Sequence, residues 1–298
     1  MKKIIIGSER KGIWGSKVIN YIIRKIHPDI IIEYKNIKNC DFIIEGIYWD
    51  EKTLWNTDKK KYLYWSGEPG LPFKSNYDSG KNLFIGPVIF GYNLYVPYFL
   101  YSPYLYKKRK YKNNYRPYLI AYCSSHKINR REELFNILVD TSSIHKCHSL
   151  GKCYGKYPET QRKVSGHWSD GGLIDAYSEY KFVFAVENCQ RAGYITEKIL
   201  NAFYSGAIPI YWGSENINSF FNKKAFINVN DFKNFKDCAE YIANLTEEKI
   251  KIMVSEPIYN NKSPEKDLLN LINDKYNMNH NNNTLCKYIS RFEKFLED

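Results

Sequence analysis

The sequence predicts an α/β protein built on parallel sheets. Three observations carry that prediction: short Ile-rich runs that end at a glycine or a turn, helical apolar periodicity between them, and a length of 298 residues, which suits one large domain or two of about 100–200 residues each. KKIIIG at the start reads as a buried strand. From Lys17 to Ile26, the residues Val18, Tyr21, Ile22 and Ile26 share one helical side. IIIEY at 30–34 and DFIIEGIY at 41–48 are strand-like, and KYLYW at 61–65 runs into the turn SGEPG. From Pro103 to Pro117 the chain is basic and aperiodic, YLYKKRKYKNNYR, which reads as a linker between two domains. Its Tyr residues interleaved with Lys also suit a basic arm that stacks on nucleic acid.

The second half repeats the alternation. YLIAYCS at 118–124 is a strand, a helix follows near Arg130–Val139, and 145–178 reads as irregular. KFVFAV at 181–186 leads into the loop ENCQRAGY, the helix ITEKILNAFYS closed by Gly206, and the strand AIPIYW at 207–212. This βαβ unit has its loop at the C-terminal end of a strand, where open α/β sheets bind ligands. Helices near Phe235–Leu245 and Glu247–Met253 come next. Leu285, Tyr288, Ile289, Phe292, Phe295 and Leu296 then share one face of a closing helix, which should dock on the body.

Composition narrows the class. With 44% hydrophobic and 26% charged residues, the chain is neither disordered nor fibrous. Its net charge of +12 fits an anionic partner such as nucleic acid, a lipid surface or a phosphorylated substrate. The abundance of Lys, Asn, Ile and Tyr throughout fits equally well with an A/T-biased coding sequence. The opening apolar run is too short for a signal peptide or a membrane span, and seven cysteines with no CxxC pair suggest reduced thiols. The expectation is a soluble, cytoplasmic protein.

Chemistry concentrates in the βαβ unit. Thr196 and Glu197 sit where the loop becomes a helix, with Lys198 one residue on. Helix N-termini attract anions and disfavour cations, so a bound anion explains Lys198 there; a solvated Glu–Lys pair on an exposed first turn is the bland alternative. Glu197 suits sugar hydroxyls, as do Asn188 and Tyr194. Arg131 opens the helix after the 118–124 strand, and a second cation on a neighbouring loop suits a diphosphate. The alternative is a surface Arg pair beside Glu132 and Glu133.

The block from Tyr180 to Phe232 resembles the signature of the α-1,3/4-fucosyltransferases, glycosyltransferase family 10. It carries YKF (180–182), ENxxxxGY (187–194), ITEKI (195–199), AIPIYWGS (207–214) and FINVNDF (226–232). The resemblance implies a GT-B fold, α/β with two Rossmann-like domains facing a central cleft. Residues 1–112 would bind the acceptor, 113–275 the nucleotide sugar, and 276–298 would form the helix packing back on the body. It implies inverting transfer of L-fucose from GDP-β-L-fucose to a hydroxyl of an acceptor glycan, α-1,3 on a GlcNAc- or Glc-type sugar. Arg131 and Lys198 would contact the donor diphosphate. Tyr194, Ile195, Thr196 and Glu197 would line the nucleotide and fucose pocket, with Asn188 nearby. YLYWSGEP resembles the family's strand and GE turn, which makes Glu68 the catalytic base; Ser-Gly-Glu-Pro-Gly is also ordinary turn chemistry.

No metal or other cofactor is expected, because the chain has no DxD pattern and the two cations would take a metal's place. His145, Cys147, His148 and Cys153 match no zinc-finger spacing. The expected partners are GDP-fucose and a glycan, not nucleic acid. A transferase using another nucleotide sugar, or a catalytically silent binding relative, remains an alternative. Cys189 and Arg191 depart from the family pattern, and Arg191 would bring an extra charge into the donor loop, altering its preference for base or sugar. Trp49, Trp55 and Trp65 are candidates for stacking on an acceptor or for packing in a core.

Overall fold

The structure is a computed structural model that describes residues 3–7, 29–35, 42–46, 61–65, 67–69, 82–88, 94–111, 115–164, 171–261 and 264. The expected helices at 17–26 and 276–298, and Trp49 and Trp55, lie outside the described residues. The chain divides into two compact units. One holds the described residues up to Tyr101 with Arg191–Tyr194, and the other Ser102–Gln190 with Ile195–Lys262. The sequence reading puts the divide at 112/113.

The first unit carries a six-stranded sheet in which β1 (Lys3–Gly7), β2 (Ile31–Lys35), β3 (Phe42–Gly46), β4 (Lys61–Trp65), β5 (Asn82–Gly86) and β6 (Leu94–Tyr95) run in the order 2-1-3-4-5-6. Every pairing is parallel. The four Ile- and Tyr-rich runs thus form strands where their apolar character predicts. β5 and β6 are strands that the sequence reading does not include, and β6 has only two residues. Trp65 ends β4.

The second unit holds a five-stranded parallel sheet in the order β11-β10-β9-β7-β8. Its strands are β7 (Tyr118–Tyr122), β8 (Cys147–Ser149), β9 (Tyr180–Val186), β10 (Ile208–Trp212) and β11 (Ile227–Asn228). The helices are α1 (Asn129–Thr141), α2 (Gly172–Tyr177), α3 (Lys198–Tyr204), α4 (Phe235–Ala243) and α5 (Glu247–Ser255). The segment 145–178, expected to be irregular, therefore contains β8 and α2. Both are too short to show a period.

Strand alternation splits this core in two. Ile120, Tyr122, Phe182, Phe184, Ile208 and Ile210 pack with Leu134, Phe135 and Leu138 of α1 and Ala239 and Ile242 of α4. The intervening Ala121, Val183 and Ala185 pack with Tyr177 of α2 and Ala202 of α3. The face towards α2 and α3 carries the small residues Ala121 and Ala185 beside the large Tyr180. With both faces covered, the strands read as continuous apolar runs, as buried parallel strands do.

The basic stretch read as a linker is tied to the C-terminal end of α3. Arg116 donates from Nη1 to the Tyr180 carbonyl at 2.7 Å, and from Nη2 to the Tyr111 and Ser205 carbonyls at 2.6 and 3.0 Å. Arg109 Nη1 donates to the Ala207 carbonyl at 3.0 Å, and the Lys110 amide donates to the Tyr204 carbonyl at 2.7 Å. Cations at that end complement the helix dipole and satisfy carbonyls that the helix leaves open. Gly206 (φ 79°) makes the turn out of α3 in the left-handed region, as expected of a helix-closing glycine. Replacing Arg116 by Met should destabilise the chain by about 3 kcal/mol, since several buried carbonyls lose a charged donor; urea unfolding measures this, and an unchanged midpoint would show these bonds to be idle.

Candidate functional site

The C-terminal edge of the second sheet assembles the site. β7, β9 and β10 are adjacent and parallel, so Ser124, Glu187 and Gly213, which follow them, emerge at one edge. β8 lies to one side of β7 and β9 to the other, so the order reverses between β7 and β9. Ligands of open α/β sheets settle at such a switch point.

Arg131 reaches the edge from the first turn of α1 and is buried, 4% exposed. Its Nε donates to the Glu187 carbonyl at 3.2 Å and its Nη1 to Ser124 Oγ at 2.8 Å, while Nη2 donates to Asn188 Oδ1. It is not a surface residue paired with its acidic neighbours. Glu132 is itself buried, accepting from the Tyr122 hydroxyl at 2.6 Å and the Gly155 amide at 2.7 Å, and Glu133 pairs with the exposed Arg130. Among the described residues, Arg131 forms no ion pair.

Glu187 ends the apolar run of β9 with a side chain that is 0% exposed. Its Oε1 accepts from the Thr196 amide at 2.7 Å, and its Oε2 from the Thr196 hydroxyl at 2.8 Å and Lys198 Nζ at 3.2 Å. Lys198 Nζ also donates to Thr196 Oγ1 at 3.0 Å, and its side chain is 27% exposed. Burial works to lower the Lys198 pKa, and the Glu187 and Glu197 carboxylates outweigh it, so the ammonium is held above its ordinary value. The anion that a lysine in a first turn calls for is thus supplied by the protein. In the sequence Glu187 stands only as the first residue of ENxxxxGY, although an acid closing a buried apolar strand is itself a signal.

Tyr194, Ile195 and Thr196 are buried, and Asn188 is exposed beside Arg131. Glu197 is half-buried at the cap position of α3, and no described residue donates a hydrogen bond to its carboxylate. Gly213 passes close by: a Cβ there would meet Glu187 Cγ and Tyr211 Oη, each at 2.6 Å. Cys147, from the set tested for zinc spacing, is fully buried in the apolar core, and the His148 ring nitrogen Nδ1 lies 3.0 Å from the Tyr180 hydroxyl.

Glu68 lies in the first unit, half-exposed in a bend after β4. Arg191, grouped with the same unit, donates from Nη1 to the Pro69 carbonyl at 2.6 Å, and the Tyr95 hydroxyl donates to the Gly193 carbonyl at 2.9 Å. The charge expected to bear on donor preference is therefore engaged by the turn that carries Glu68.

The family model described as glycosyltransferase family 10 (fucosyltransferase), C-terminal part, matches residues 109–292. The chain belongs to that family. The α-(1,3)-fucosyltransferase FucT of Helicobacter pylori is 53% identical over 68 residues, 23% of this chain and 14% of that protein. The α-(1,4)-fucosyltransferase of Arabidopsis thaliana is 32% identical over 151 residues, 47% of this chain and 36% of that enzyme. The aligned regions thus cover well under two thirds of either relative. A crystal structure of an α1,3-fucosyltransferase superposes with a TM-score of 0.61 at 21% identity, over 100% of this chain and 91% of that one. A DNA-modifying β-glucosyltransferase superposes at 0.53 and 13% identity, over 99% and 100%. These likenesses establish the GT-B fold expected of a family 10 chain: α/β, with a parallel sheet in each unit.

Within this family 10 site, Gly213→Ala should lower stability by about 1–3 kcal/mol, because backbone or Glu187 must shift to admit the methyl group. Thermal unfolding reads the effect, and a midpoint equal to wild type would mean that the approach to Glu187 is slack.

Proposed function

We propose that this chain is an inverting fucosyltransferase that moves L-fucose from GDP-β-L-fucose to a hydroxyl of an acceptor glycan, in α-1,3 linkage to a GlcNAc- or Glc-type sugar. The observation that carries the reading is Arg131: a buried guanidinium at the switch point, bonded only to neutral partners among the described residues. Three of its five N–H groups are engaged, so two remain for an anion. Lys198 has two acceptors for its three N–H groups, which leaves one. Family membership supports the donor, as does the solved α1,3-fucosyltransferase with GDP-fucose, whose fold this chain shares. The named relatives act in α-(1,3) and α-(1,4) transfer.

In the proposed reaction the Glu68 carboxylate takes the proton of an acceptor hydroxyl. That oxygen attacks the anomeric carbon, the bond from carbon to the phosphate oxygen breaks, and GDP leaves with the electron pair. Attack from the face opposite the leaving group converts the β-linked donor into an α-fucoside. Arg131 and Lys198 meet the charge that grows on the diphosphate, so the step needs no metal. Asn188, Tyr194, Ile195, Thr196 and Glu197 border the nucleotide and sugar, and the open Glu197 carboxylate accepts from their hydroxyls. Turnover requires Glu68 and the donor to meet, and the substrates are the nucleotide sugar and a glycan rather than nucleic acid. Among the described residues no helix is long and apolar enough to cross a membrane.

Calorimetry with GDP tests the donor site. Lys198→Ala and Arg131→Ala should each weaken binding by about 10- to 150-fold, the worth of one charge-assisted hydrogen bond; parental affinity in both would place the diphosphate elsewhere. Glu68→Gln should keep GDP affinity and lower turnover by roughly 10²–10⁴-fold. Undiminished turnover would remove Glu68 as the base.

A further inference from the structure

We propose that Glu187 is a positioning residue of the donor site: one residue that sets Lys198 with its carboxylate and Arg131 with its backbone carbonyl, and so fixes the spacing of the two cations that receive the diphosphate. The proposal deepens the fucosyltransferase reading and rests on it.

The geometry has three parts. The Glu187 amide donates to the Trp212 carbonyl at 2.9 Å, which continues the β9–β10 ladder and holds the residue to the sheet. Its carbonyl accepts from Arg131 Nε at 3.2 Å, so the guanidinium of α1 is registered against β9. Its carboxylate takes the Thr196 amide, the Thr196 hydroxyl and Lys198 Nζ, so the first turn of α3 is registered against the same point. Arg131 and Lys198 come from different helices, and Glu187 bonds to both. A buried carboxylate without such donors would be costly, and one that merely filled space would be better replaced by an apolar side chain.

The electrostatic role follows from what faces Lys198. Burial and the Arg131 guanidinium disfavour its ammonium, while Glu187 and Glu197 favour it, with Glu187 the larger contributor. Around Glu187 stand Lys198, Thr196 and Glu197, and beyond Gly213 the Tyr211 hydroxyl. Without the Glu187 charge, only Glu197 offsets burial and Arg131. The ammonium of Lys198 then releases its proton at a lower pH, and the diphosphate loses a cation in the alkaline range.

Glu187→Gln tests this, because the amide keeps the shape and still accepts from the Thr196 amide. GDP affinity is measured by calorimetry for wild type and variant from pH 7 to 10 and expressed as their ratio, in which the titration of GDP itself cancels. The variant should bind GDP progressively more weakly than wild type as the pH rises, by about threefold or more at pH 10, and equally well near pH 7. Adding Lys198→Arg to the variant should abolish the loss, since a guanidinium stays charged throughout. Parallel profiles for wild type and Glu187→Gln would overturn the proposal while leaving the donor site intact. Failure of GDP to bind wild type would instead remove the fucosyltransferase reading. Should the Gln variant not fold, NMR titration of Lys198 Nζ in wild type decides: an ammonium still protonated above pH 10.5 supports the proposal, and earlier release contradicts it.

Discussion

A carboxylate sealed from water at the end of a buried strand organises this molecule's chemistry. β9 is apolar on both faces, and Glu187 follows it with its side chain fully enclosed. An acid can occupy that place only where donors meet it, and the three groups that do so are the first polar groups of the α3 start. Those donors stand at the start of α3, and Gly213 passes close to the same carboxylate. The arrangement forms on folding, so a ligand would find the cations already oriented.

The helix bearing Lys198 is pinned at both ends by charge. A cation in a first turn opposes the helix dipole, and Glu187 with Glu197 offsets that opposition. At the other end the Arg109 and Arg116 guanidiniums, together with the Lys110 backbone amide, serve the carbonyls that α3 and its following turn leave open. Part of the excess positive charge is thereby spent on structure. The net +12 is accordingly a poor guide to partners when arginines engaged by backbone carbonyls account for some of it.

Much of the architecture was legible because apolar runs mark parallel strands: β1 to β4, β7, β9 and β10 all carry one, and in β9 and β10 the run is buried. α3 also closed at Gly206, where a left-handed turn needs a glycine. Short elements escaped: β6, β8 and α2 have too few residues for a period. The basic stretch escaped for another reason. Its bonds run from side chains to backbone carbonyls, and no spacing in the sequence encodes them. At the site, the loop–helix junction and Arg131 were visible as cations near strand ends. The burial of Arg131 was not, because its neighbours Glu132 and Glu133 look like surface partners until Glu132 turns to Tyr122. The role of Glu187 is not legible from the helix start, because a first-turn lysine fits a ligand's anion as well as one supplied by the preceding strand.

In the proposed function two fixed cations at one sheet edge hold a pyrophosphate. A crystal structure of the chain with GDP tests it most directly. The account predicts phosphate oxygens within hydrogen-bonding distance of Arg131 and Lys198, with Glu187 still bonded to Thr196. Phosphates seated elsewhere, with Arg131 keeping only its neutral partners, would contradict it.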